Sequence, residues 1–88
     1  MARTTNLTDI ATLTPKDLRF AMEVALASST PVDSIADYVA SVDWSNAPAA
    51  DAAVRDRLGR LEQLSTLYAE GDIQMPEFRG FVRSTIHG

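Results

Sequence analysis

The chain has 88 residues, a formal net charge of −4 at pH 7, 45% hydrophobic residues and no cysteine. This length indicates one domain, and the composition argues against wholesale disorder, a disulfide framework or a thiolate zinc site. The mild acidity argues against a general nucleic-acid-binding surface, which is normally basic. No apolar run approaches the ~20 residues that a membrane-spanning helix needs.

The N-terminal residues are polar and rich in threonine. No apolar segment follows them, so a secretion signal is not predicted, and we expect a cytoplasmic protein. Seven arginines to one lysine, with abundant alanine, indicate a GC-rich bacterial or phage genome. We predict a polar arm over residues 1–13 and a single helical domain over residues 14–88. Because Leu7, Ile10 and Leu13 recur every three residues, the arm is either a docked turn or mobile.

Two predicted helix starts share the pattern Thr-Pro-X-Asp. Thr14-Pro15-Lys16-Asp17 and Thr30-Pro31-Val32-Asp33 each place threonine at the N-cap, proline at the first helical position and aspartate at the third. The threonine oxygen can accept a backbone N–H, proline lacks an N–H that would be unpaired there, and aspartate complements the positive helix end. Helices are therefore predicted from residues 15 and 31.

The first predicted helix, residues 15–28, is apolar on two faces. At 100° per residue one face combines Leu18, Ala21, Met22, Ala25 and Leu26. A second stripe combines Phe20, Val24 and Ala27. A helix this apolar is normally central or has a partner on its second face, and we place it near the centre.

The second predicted helix, residues 31–42, has one apolar face, and a turn with the only tryptophan follows it. The face comprises Val32, Ile35, Tyr38, Val39 and Val42. Trp44 either covers the core or anchors a partner, because tryptophan is enriched in interface hot spots.

The third predicted helix, residues 48–70, is the longest. Its apolar arc comprises Val54, Leu58, Leu61, Leu64 and Tyr68, and Leu67 points elsewhere. The i,i+4 spacing predicts ion pairs Asp51–Arg55 and Asp56–Arg60. Gly59 indicates a close helix crossing.

Gly71 is predicted to end the third helix in the left-handed conformation. Met75-Pro76-Glu77 then marks the start of the fourth helix, residues 76–86. Its inward residues are Phe78, Phe81, Val82 and Ile86, and Arg79 and Arg83 point outward. No strand is predicted. The fold class is therefore all-α, a compact four-helix domain in an orthogonal or bundle-like arrangement.

Neither catalysis nor metal or cofactor binding is predicted. Metal sites need convergent ligands, and the single histidine, His87, is next to the last residue. No nucleophile is paired with a base, and the four glycines are isolated, so there is no phosphate-binding loop.

A helix-turn-helix is the main alternative. Residues 31–58 faintly match it, with Ile35-Ala36 in the supporting helix and arginines on the recognition helix. Two observations count against it. The segment from Val42 to Ala49 is longer than the usual turn, and Arg55 and Arg57 lie about 160° apart on the wheel.

Residues 61–86 resemble the SHOCT family of short C-terminal domains. The matching positions are Leu61, Leu64, Leu67, Gly71, Ile73, Glu77 and Phe78. The chain departs from the family at Gln74, where threonine is favoured, and at Val82, where lysine is expected. The resemblance implies an oligomerisation or protein-contact role without enzymatic activity.

We therefore predict a small non-enzymatic regulatory or adaptor protein that binds another protein, such as a bacterial or phage-encoded inhibitor of a larger machine. Self-association into a dimer is a further expectation. The alternatives are a DNA-binding transcriptional regulator and a structural component of a virion or other large assembly. Folding does not obviously require Leu67, Arg79 and Arg83. With these three, the candidate partner-binding residues are Phe20, Val24, Trp44, Leu67, Arg79 and Arg83.

Overall fold

Four α-helices make up most of the structure, a computed structural model that describes residues 8–87. The all-α, four-helix prediction is confirmed. The helices are α1 (Pro15–Ala27), α2 (Pro31–Ala40), α3 (Ala52–Ala69) and α4 (Met75–His87). Two strands, β1 (Thr8–Asp9) and β2 (Val42–Asp43), and two 3₁₀ helices, Ile10–Thr12 and Trp44–Ala49, complete the described elements. None of the helices within residues 8–87 has the length and apolar character needed to cross a membrane.

The largest boundary difference is at the start of α3, which begins at residue 52 rather than 48. Asn46 has non-helical angles (φ −105°, ψ 23°), and Pro48 belongs to the second 3₁₀ helix. Asp51 is the N-cap of α3, and its Oδ1 accepts the N–H of Ala53 at 2.7 Å. The chain therefore makes a separate 3₁₀ turn before α3 starts.

The helix starts differ in their caps. Thr14 forms the predicted cap: its Oγ1 accepts the Asp17 N–H at 3.1 Å, and the Asp17 carboxylate accepts the Thr14 N–H at 3.4 Å. Thr30 makes no side-chain cap hydrogen bond, so that part of the prediction is wrong. At the start of α4, the N–H of Gln74 donates to the Glu77 carboxylate at 2.8 Å, which supplies half of a capping box.

Gly71 ends α3 in the left-handed region, as predicted, with φ +82°. Its N–H donates to Tyr68 O at 3.0 Å, and the Asp72 N–H donates to Leu67 O at 2.9 Å. These two bonds form a Schellman motif, which pairs carbonyls that the helix leaves unsatisfied. The prediction that Gly59 marks a close crossing is wrong, because a Cβ built there has no neighbour within 4 Å.

One of the two ion pairs predicted for α3 forms. Arg60 Nε lies 3.1 Å from Asp56 Oδ2, so that pair is confirmed. Arg55 Nη1 instead donates to Ala47 O at 3.2 Å. No Asp51–Arg55 ion pair occurs within the described residues, so that prediction is wrong, and Asp51 caps the helix. A backbone carbonyl of the preceding turn competes successfully for the Arg55 guanidinium.

All four helices contribute to one hydrophobic core. The predicted inward faces are confirmed, with one exception: Phe81 was expected inside and is 47% exposed, so that prediction is wrong. The aromatic rings of Tyr68 and Phe78 lie 5.8 Å apart. The buried residues are Ile10, Leu13, Leu18, Met22, Ala25, Leu26, Ile35, Val39, Val42, Val54, Leu58, Leu61, Phe78, Val82 and Ile86.

The segment before α1 is docked where the structure describes it. β1 pairs in parallel with β2, with Thr8 opposite Val42 and Asp9 opposite Asp43, although no strand was predicted. Ile10 is fully buried and Leu13 nearly so. The core therefore extends beyond the predicted domain boundary at residue 14. The rest of the predicted arm, residues 1–7, lies outside the described residues.

Candidate functional site

The outer face of α1 exposes large apolar side chains. Phe20 is 70% exposed and Val24, one turn later, is 57% exposed. Ala27 continues the same line and is also exposed. The opposite face carries the buried Leu18 and Met22, and α1 contacts the other three helices. The helix is thus near its neighbours as predicted, but its second apolar face is not covered by any of them. We call Phe20, Val24 and Ala27 the outer strip.

A basic groove lies beside the outer strip, between the C-terminal half of α1 and α4. It is open and has a volume of about 410 Å³. Its lining residues are Glu23, Leu26, Ala27, Arg79, Arg83 and His87. Because Ala27 belongs to both features, the outer strip and the basic groove form one continuous surface. Four of the six candidate residues therefore come together here, namely Phe20, Val24, Arg79 and Arg83.

The polar side chains of the basic groove have different roles. Arg79 Nη1 donates to Leu26 O at 2.8 Å, which places a positive charge at the C-terminal end of α1. Arg79 therefore has a structural contact within the chain that its predicted outward position did not indicate. His87 Nε2 lies 3.4 Å from Glu23 Oε2. Arg83 is exposed and has no ion-pair partner within residues 8–87, so its charge is available for a ligand.

A second groove lies on the other flank of α4, against α3. It has a volume of about 360 Å³, and its apolar residues are Leu64, Leu67 and Phe81. Leu67 is half-buried here and does not meet the other candidate residues. Sequence reasoning missed Phe81 because the wheel places it only roughly 60° from the buried Phe78. We call this site the α3–α4 groove.

Trp44 lies apart from both grooves, at the start of the second 3₁₀ helix, and is 42% exposed. The preceding Asp43 accepts the backbone N–H of Ser45 at 3.0 Å. This bond, together with one from the Ser45 side chain, lowers the pKa of Asp43. On the neighbouring strand, Asp9 Oδ1 accepts the Asn46 side-chain amide at 3.4 Å. Trp44 therefore sits on a turn held by local carboxylate hydrogen bonds.

The arrangement of polar groups favours binding through apolar and guanidinium contacts. Within residues 8–87, no group of three or more His, Cys, Asp or Glu side chains is placed to hold a metal ion. The basic groove combines two arginines with an adjacent exposed apolar strip. Such a surface can bury a hydrophobic side chain and pair with a carboxylate in a single contact.

The helices of the helix-turn-helix alternative are separated by a structured connection. Residues 41–51, between α2 and α3, contain β2 and the second 3₁₀ helix. On α3, Arg55 donates to a carbonyl of that connection, and Arg57 is half-buried. One of the two arginines on the candidate recognition helix thus has a partner within the chain.

The resemblance of residues 61–86 to the SHOCT family stays a hypothesis that depends on the residues named above. No family model matches this sequence, and comparisons with curated proteins and with solved structures found no significant match.

Proposed function

We propose that this chain is a small non-enzymatic regulatory or adaptor protein that acts by binding another protein. The observation that carries the proposal is the outward orientation of Phe20 and Val24, 70% and 57% exposed, on a helix whose other face lies in the core. Fully burying such a side chain stabilises a complex by roughly 1.5–3 kcal/mol. Contiguous exposed apolar side chains on a small domain are typical of interaction surfaces.

The size and acidity of the chain favour one form of this function, a bacterial or phage-encoded inhibitor that binds and blocks a larger machine. The accessible surface of 5450 Å² is several times the ~800 Å² per partner that a standard protein interface buries, so the chain is large enough for one such interface. A net charge of −4 keeps such a protein away from nucleic acid. This step is an analogy with a class of proteins and depends on the interaction hypothesis.

Site-directed photocrosslinking in cells of the native host tests the proposal. A photoreactive phenylalanine analogue replaces Phe20, and the matched control places it at Asp37, an exposed position on α2. We expect an adduct of defined mass from position 20 and not from position 37. Mass spectrometry then identifies the partner, and purified partner should bind the wild-type chain more tightly than Phe20→Gln. Equal crosslinking at both positions would refute the proposal.

The two alternatives predict other outcomes. A DNA-binding regulator would shift arbitrary duplex DNA in a gel assay, with affinity that falls steeply as salt increases. A component of a large assembly would sediment as a ring or polymer rather than as a monomer or dimer. Either result, obtained without a protein adduct at position 20, would replace the proposed function.

A further inference from the structure

We propose that the continuous surface formed by the outer strip and the basic groove binds an acidic amphipathic helix of a partner protein. The helix would place apolar side chains on Phe20 and Val24 and carboxylates on Arg79 and Arg83. This inference rests on the proposed function and specifies the chemistry of the partner.

The charge of the basic groove supports an acidic occupant. The chain as a whole carries a net charge of −4, yet the groove lining holds two arginines and one carboxylate. That carboxylate, on Glu23, lies beside His87. Arg79 and Arg83 are one helical turn apart on α4, so they match acidic residues spaced i,i+4 on a partner helix. Guanidinium groups bind carboxylates with two parallel hydrogen bonds when the geometry allows.

The shape of the outer strip supports a helical occupant. Phe20, Val24 and Ala27 follow the i, i+4, i+7 spacing over two turns of α1, a length of about 10 Å. A partner helix with apolar residues at the same spacing can pack along this line. Because Ala27 is small and also lines the basic groove, it leaves room for the partner helix to reach both arginines.

A second copy of this chain fits the surface less well. On α2 the carboxylates of Asp33 and Asp37 are exposed, but the apolar residues Ile35 and Val39 of the same helix are buried in the core. On α1 itself, Asp17 is held in the capping box of Thr14, and the carboxylate of Glu23 lies 3.4 Å from His87 Nε2. Neither helix therefore presents large exposed apolar residues together with a carboxylate that lacks a partner in the chain.

Selection from a displayed library of randomised helical peptides tests the inference without knowledge of the natural partner. The whole chain is the immobilised target, and enriched peptides are sequenced and measured by fluorescence anisotropy. We expect apolar residues at helical spacing, with Asp or Glu along one flank. Arg83→Glu should weaken these peptides about tenfold or more, since it replaces attraction with repulsion. Peptides with lysine in place of the acidic residues should recover affinity for Arg83→Glu.

Two Phe→Gln variants separate this surface from the α3–α4 groove. Phe20→Gln should weaken the selected peptides, whereas Phe81→Gln, the same chemical change on the other flank of α4, should leave their affinity unchanged. Far-UV circular dichroism confirms that each variant is folded. Glutamine has at least the helix propensity of phenylalanine, so neither change disfavours the helix.

The other outcomes would overturn the inference in distinguishable ways. Peptides that are insensitive to Arg83→Glu but lost on Phe81→Gln would assign binding to the α3–α4 groove and leave the proposed function standing. A concentration-dependent dimer abolished by Phe20→Gln, without acidic peptides, would make a second copy the occupant. Equal binding of peptides that lack apolar residues would reduce the site to an anion-binding patch. Enrichment of no peptide would overturn the inference, whereas the proposed function would still be decided by the photocrosslinking at position 20.

Discussion

Replacing Gly59 and Gly71 separately with alanine should change stability in opposite directions, although a methyl group at either position would meet nothing within 4 Å. Gly59 lies in the middle of α3 and is exposed to solvent, and at such a position alanine is favoured over glycine by about 1 kcal/mol. Gly71 has φ +82°, where an L-residue costs roughly 1–2 kcal/mol. Because steric clashes are absent at both sites, the sign of each change reports the backbone conformation alone.

Thermal and urea unfolding, followed by far-UV circular dichroism, measure the two changes. A change of 1 kcal/mol shifts the Tm of a domain of this size by roughly 4–8 °C. We therefore expect Gly59→Ala to raise the Tm by about that amount and Gly71→Ala to lower it similarly. Gly71→Asn should cost less than Gly71→Ala, since asparagine tolerates the left-handed region. If Gly71→Ala raised the Tm, the left-handed C-cap described for α3 would be refuted.

Three further predictions concern capping, packing and pH. Thr14→Ala should lower the free energy of unfolding, measured in urea, by about 1 kcal/mol. Thr30→Ala removes no cap hydrogen bond and should lower it clearly less. Equal losses in the two variants would contradict the difference in capping. Leu58→Ala should cost about 2–5 kcal/mol, because Leu58 is fully buried, and a loss below 1 kcal/mol would place it outside the core. An NMR titration should give Asp43 a pKa below its ordinary value of 3.8, because Ser45 donates to the charged form. The stabilisation from Asp43 is then present above its unfolded pKa and is lost as pH falls through the folded pKa. Ser45→Ala removes the side-chain hydrogen bond and keeps the backbone one, so it should raise the pKa of Asp43 only part of the way to its ordinary value.

Local signals in the sequence predicted most of the elements whose causes are themselves local, although the same signal failed for the cap at Thr30. The Thr14 cap depends on residues three positions apart, and the left-handed Gly71 depends on the end of its own helix. The 3.6-residue period likewise identified the buried faces of the four helices, with the exception of Phe81 on α4. These features need no knowledge of the neighbouring elements, which is why one sequence was sufficient.

The features that sequence reasoning missed depend on distant parts of the chain. Arg79 donates to Leu26 O, 53 residues away, and no spacing rule can identify that partner. Periodicity gives the direction in which Phe81 points but not how far α3 covers it. Phe20 and Arg83 were both predicted as candidates, yet only the packing of α1 against α4 shows that they share a surface. The candidate site was thus predictable as separate residues and not as one arrangement.

The parallel pairing of β1 with β2 also has a kinetic consequence. α1–α2, α2–α3 and α3–α4 are neighbours in sequence, so most helix packing can form between segments that are close along the chain. The pairing of Thr8–Asp9 with Val42–Asp43 instead closes a loop of more than thirty residues. Its ladder has only two residue pairs, and the burial of Ile10 and Leu13 adds to it. We therefore expect β1 to pair with β2 after the helices have packed, and this pairing to open before the helices separate. Amide hydrogen exchange at residues 8–10 should therefore be faster than in α3. When β1 separates from β2, the part of the core that Ile10 fills would become exposed while the four helices stay packed.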